Sequence, residues 1–134
     1  MVDVQAMIQT LKALGTQVTA SECQQKDLNG AYHPDKDLLL ICVNSLPDDD
    51  PASLWDVLAH EATHKMQACV GGAIMPPSHV GRMMRELTAI YPEAVEILRA
   101  YPSAHSRMEL EARWMEMQSP QFVLNALAMA CRRG

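Results

Sequence analysis

Apolar positions along the chain follow two periods. Val4, Met7, Ile8, Leu11 and Leu14 recur at steps of three and four, the spacing that stacks side chains on one helix face. Gly15 closes that run, so a first helix is predicted over residues 3–14, bracing the back of a sheet. Residues 16–21, with Val18 at their centre, read as a short strand or a loop. Residues 38–43 are instead an unbroken apolar run between Asp37 and Asn44, the mark of a strand covered on both faces. Asn29-Gly30 and Pro34-Asp35 are turn signals. They predict that residues 30–33 run antiparallel beside that strand.

The helical period then returns. Leu54, Leu58, Ala62 and Met66 form a stripe that Trp55, Ala59 and Cys69 widen. Asp50 is a good N-cap, Pro51 suits the first helical position, and Gly71-Gly72 stop the run. The acids Asp48, Asp49 and Asp50 favour the same helix end electrostatically. After a Gly/Pro-rich link over residues 70–77, Val80, Met83, Met84, Leu87 and Ile90 predict another helix from Ser78. Pro92 interrupts it and begins a short helix through Leu98. Helix resumes after Tyr101-Pro102, near Ser103 or Ser106, and runs to Gln118. Ser119-Pro120 restarts the chain as a last helix with Phe122, Val123, Leu127, Ala130 and Cys131 inward, and with Arg132 and Arg133 at its favourable end. The pattern predicts a single α+β domain over residues 1–134, a small twisted sheet packed against several helices.

Composition narrows the function. The chain of 134 residues is apolar in 49% of its positions, enough for one real core, and ten methionines must fill much of it in place of aromatics. Its formal charge of −5, with no dense basic cluster, excludes nucleic acid as a main partner. No basic-then-apolar leader and no long apolar run occur, so neither export nor a membrane span is expected. Cys23, Cys42, Cys69 and Cys131 lack the close pairing of a zinc knuckle, and buried free thiols in a reducing cytoplasm are expected.

The chemistry lies in His60-Glu61-Ala62-Thr63-His64, in the middle of the capped helix. His60 and His64 stand one turn apart on one face, spaced to grip a single zinc ion. Glu61 beside them is placed to take a proton from the attacking water. The simpler alternative is a helix with two ordinary histidines, although packing does not require a Glu directly after the first. Asp56, one turn before His60, could orient it or be a plain first-turn acid.

Two imidazoles leave a third ligand to find. In the helix ending near Gln118, Glu111 falls between Met108 and Met115 on the apolar face, whereas Glu109 lies with Arg113 and Glu116 on the polar side. A carboxylate on an apolar face needs compensation, which zinc would supply. Glu111 is the expected third ligand and Glu109 the second choice. The competing account pairs Glu111 with Arg82 or Arg85. His105, Tyr101 and Tyr91 stand near enough in sequence to donate to a developing oxyanion, but packing or surface roles suit them better. Trp114 is core or a wall of the site, and His33 is surface.

His60-Glu61-Ala62-Thr63-His64, with Glu111-Ala112 downstream, resembles the zincin metallopeptidases, in particular the very small single-domain members of the gluzincin group. The similarity in layout covers roughly residues 28–117. It implies His60, His64 and Glu111 as zinc ligands and Glu61 as general base in peptide-bond hydrolysis. It also implies an extended peptide or protein substrate against the sheet edge. The chain lacks an Asn-Glu pair in the third-ligand helix, and no His-x-x-Gly-x-x-His extension follows His64, where Gln67 and Cys69 stand, which disfavours the three-histidine group. The second lobe of larger peptidases is absent, which implies a shallow cleft or one completed by a protein partner. A zinc-binding regulatory domain without proteolysis, and a metal-free helical interaction domain with a methionine-rich surface, are the alternatives.

Overall fold

The computed structural model describes residues 2–25, 28–45, 50–99 and 103–132. Asp48, Asp49, Tyr101 and Arg133 lie outside these. Helix α1 (Val2–Ala13) buries Val4, Met7 and Leu11 at the predicted spacing. The chain then enters three short strands, β1 (Gln17–Ser21), β2 (Gly30–His33) and β3 (Leu38–Cys42). The apolar run of β3 puts it in the middle. It pairs parallel with β1, Gln17 opposite Leu38, and antiparallel with β2, Gly30 opposite Ile41. The ambiguous stretch around Val18 is thus a strand, and β1 and β2 are the sheet's outer strands among the described residues. A single 3₁₀ turn over Val43–Ser45 ends β3.

Helix α2 (Pro51–Val70) begins and ends where its residues dictate. Asp50 accepts from the backbone N–H groups of Ala52 and Ser53, and Pro51 needs no such partner. Gly71 closes the helix in a left-handed conformation, φ 80°, that other residues adopt at a cost. The link that follows tightens into a 3₁₀ turn at Pro77–His79 before α3 (Val80–Ile90). Then come α4 (Pro92–Arg99), α5 (Ser103–Glu116) and α6 (Pro120–Ala130), the last capped by Ser119 on the N–H of Phe122.

The core forms where these faces meet. Met7 and Leu11 of α1, Leu58 and Met66 of α2 and Leu127 of α6 are fully buried in one cluster. Met83 and Met115 fill it from α3 and α5, as flexible thioethers can. Gly30 lets β2 lie directly on α2: a Cβ there would stand 2.6 Å from Val57 Cγ1 and 2.9 Å from the Leu40 carbonyl. Among the described residues no helix is long and apolar enough to cross a membrane.

The cysteines overturn the expectation of free thiols. Cys23 bonds Cys42, and Cys69 bonds Cys131. Their sequence separations of 19 and 62 hide the pairing. The fold brings the stretch after β1 to the end of β3, and the end of α6 to the last turns of α2, with Cα pairs 5.4 and 5.2 Å apart, well within bridging reach.

Candidate metal centre

The site forms in the seam between α2 and α5. One helical turn separates His60 from His64, and their ring centroids are 5.0 Å apart. Both rings turn Nε2 toward the same carboxylate of α5. His60 Nε2 lies 3.2 Å from Glu109 Oε2, and His64 Nε2 lies 3.0 Å from Glu109 Oε1. The three side chains are partly buried and offer donor atoms all within 4.8 Å of one another.

Their other nitrogens are held from outside the cluster. His60 Nδ1 lies 2.6 Å from Glu116 Oε2, two turns beyond Glu109 on the same face of α5. His64 Nδ1 lies 2.8 Å from Gln67 Oε1. Asp56 does not fill the orienting role considered for it; Glu116 occupies the His60 nitrogen, and burial together with the charges of Glu116 and Asp50 pushes the Asp56 carboxyl up.

Charge follows this geometry. Burial favours the neutral form of His60, but the hydrogen bonds to Glu109 and Glu116 outweigh it and push the imidazole up to about 10. His64 is also pushed up, burial being outweighed by its bonds to Glu109 and Gln67. The same bonds hold the Glu109 carboxyl well below the usual carboxylate range. Without a metal the two rings and the carboxylate therefore form a charge-assisted bridge. Glu61, only 8% exposed, is pushed up by burial, against the pull of His60 and His64. Its Cγ would lie 3.4 Å from a Cβ at position 30, so the bare backbone of β2 walls the base.

Glu111 is not brought to the histidines, which corrects the expectation for the third ligand. Glu111 is buried, as its place on the apolar face predicts, with no exposed surface, but its compensation is not a metal. The carboxylate accepts from the backbone N–H of Ile74 at 3.0 Å and of Met75 at 2.8 Å, and from Gln67 Nε2 at 3.0 Å. Neither zinc nor an arginine is needed to satisfy it. Glu109 stands at the rim of the seam, where solvent can reach. Glu109 and Glu116, seven residues and two turns apart, share one face of α5; Glu109 reaches both rings and Glu116 the far nitrogen of His60.

A cleft of about 520 Å³ opens beside the cluster, lined by Tyr32, Pro34, His64, Gln67, His105 and Glu109. His105 thus borders the site. Tyr91 is 48% exposed at the end of α3. Trp114 is core: it donates to Glu86 Oε1 at 2.8 Å and packs edge-on against Phe122. His33 is exposed, as expected.

Two imidazole nitrogens and a carboxylate form a donor set that suits zinc. Donors about 2.0 Å from a tetrahedral ion stand roughly 3.3 Å from one another. The three side chains bring one donor atom each within 4.8 Å of one another, near enough for small adjustments to reach that spacing. In comparison with known proteins, no family model, no curated protein and no solved structure matches the chain.

Proposed function

We propose that this chain is a minimal zinc-dependent peptidase of the zincin type, with His60, His64 and Glu109 as metal ligands and Glu61 as general base. The observation that carries this reading is the convergence of both Nε2 nitrogens on the Glu109 carboxylate at 3.2 and 3.0 Å. Held by His60, His64 and Glu109, zinc would supply Lewis-acid chemistry for a carbonyl and an acidified water. The protein residues do the rest. Glu61, its carboxyl pushed up by burial and so a stronger base than an exposed glutamate, takes a proton and hands it to the leaving amine. β2 is an edge strand that an extended peptide could lengthen the sheet along, and the cleft beside His64 would admit its side chains. The two disulfides support an oxidising environment in place of the cytoplasm.

Zinc content and peptide-library cleavage test the reading together. The purified chain is expected to carry close to one zinc, to lose it in Glu109→Ala, and to lose cleavage but not zinc in Glu61→Gln. Zinc binding without Glu61-dependent cleavage would establish a regulatory zinc domain instead. Absence of zinc binding would reject both.

A further inference from the structure

The buried pair Gln67 and Glu111 touches none of the proposed metal-facing atoms, yet it determines how one ligand presents itself. The Gln67 amide has two ends, and their chemistry fixes which points where. Nε2 lies 2.9 Å from the Met108 carbonyl and 3.0 Å from Glu111 Oε1. Both are acceptors, so the NH₂ end must face them. The amide oxygen is left 2.8 Å from His64 Nδ1. An amide oxygen only accepts, so Nδ1 must carry a proton and donate it. The proton that bridges Nε2 to Glu109 is then the one a metal would displace, and its loss leaves the lone pair on Nε2.

Glu111 makes this arrangement firm. It is fully buried and already anchored by the backbone N–H groups of Ile74 and Met75. It cannot turn to accommodate a flipped amide. Flipping Gln67 would set its oxygen against a carboxylate and a carbonyl, three acceptors with no donor among them.

We propose that Glu111 and Gln67 act as positioning residues: Glu111 fixes the Gln67 amide, which fixes His64 as the Nδ1–H tautomer with Nε2 free for a metal. The relay rests on the zinc-site reading for its purpose, but its tautomer is testable without metal. A hydrogen-bonded partner on the far nitrogen of a ligand histidine raises metal affinity about 10–100-fold.

Gln67→Met keeps the side chain's length and removes the acceptor. Zinc affinity, measured by competition with a chelator, is expected to fall about 10–100-fold relative to wild type. Wild-type affinity in Gln67→Met would overturn the proposal. The second arm uses metal-free Glu109→Ala, which removes the competing carboxylate from Nε2. Nitrogen NMR of His64, read at a pH where the ring is neutral, is expected to show the proton on Nδ1. It is expected to move toward Nε2 when Gln67→Met is added. A proton on Nε2 while Gln67 is intact would overturn the relay even if zinc binds. A wild-type protein that binds no zinc, together with the Nδ1–H tautomer in Glu109→Ala, would reject the metal site and leave the relay standing.

Discussion

Lys65 and Asp37 are joined across the fold by two hydrogen bonds, Lys65 Nζ lying 2.9 and 3.1 Å from the two carboxylate oxygens. Lys65 is only 4% exposed although it follows His64 directly. Asp37 closes the β2–β3 turn at a positive φ of 47°. Its Oδ1 also accepts from the hydroxyls of Thr16 and Tyr32. One carboxylate therefore fastens β1, β2 and the motif helix together, and pushes the Tyr32 phenol up alongside the effect of burial.

This cluster predicts a pH-dependent contribution to stability. Burial pushes the Asp37 carboxyl up, but the hydrogen bonds from Lys65, Tyr32 and Thr16 outweigh it, so the folded-state value is lowered. The stabilisation is complete above the unfolded-state value near about pH 4, and it fades as pH falls through the lower folded-state value. Asp37→Asn is expected to cost about 2 kcal/mol near neutral pH by leaving Lys65 buried without its counter-charge. Urea titrations of both proteins at about pH 7 and about pH 3 should show the gap narrowing in acid; a gap independent of pH would refute the linkage.

Glu116, and not Asp56, holds the far nitrogen of His60. Glu116→Ala removes the acceptor 2.6 Å from Nδ1 and is expected to weaken zinc binding about 10–100-fold. Asp56→Ala is expected to leave affinity near wild type. Chelator competition on the two variants distinguishes them, and equal losses would deny Glu116 its special place.

Gly30 is predicted to resist even the smallest enlargement. In Gly30→Ala the new methyl meets the Leu40 carbonyl at 2.9 Å and Val57 Cγ1 at 2.6 Å. Backbone cannot yield as a side chain tip can, so β2 must lift from α2 at a cost of about 1–3 kcal/mol. Because Glu61 packs against the same spot, cleavage should fall more steeply than zinc occupancy. Denaturation midpoints, with activity measured well below melting, would show both effects; unchanged midpoints would disprove the close approach.

The two disulfides should contribute unequally. By loop-closure entropy the pair separated by 62 residues stabilises by about 4 kcal/mol. The pair separated by 19 stabilises by about 3 kcal/mol. Cys69→Ala with Cys131→Ala is expected to lower the unfolding free energy more than Cys23→Ala with Cys42→Ala. Free-thiol titration of the native protein, expected to find none among these four, is the direct check.

Local features were legible in the sequence and long-range ones were not. Asp50, Pro51 and Gly71 mark the ends of α2 because caps act within a turn of chain. The apolar run that became β3 announced a central strand. Glu111 was correctly read as buried, but its partners Ile74, Met75 and Gln67 come from a link whose path only tertiary packing sets. The same limit hid the partner of Cys69, which depends on where α6 docks. Glu109 and Glu116 share a face by their two-turn spacing, but that this face meets His60 and His64 depends on how α5 docks on α2.

Glu109 and Glu111 sit two residues apart on α5, a little over half a turn, and so project from nearly opposite sides of its axis. One side grips the interior and the other meets the histidines. Such an arrangement resists roll: any twist of the rod that would carry Glu109 off target must first tear Glu111 from three N–H donors. The aim of the outward carboxylate is thereby set from behind, and substitutions that loosen the hidden side should blur the centre without ever touching it.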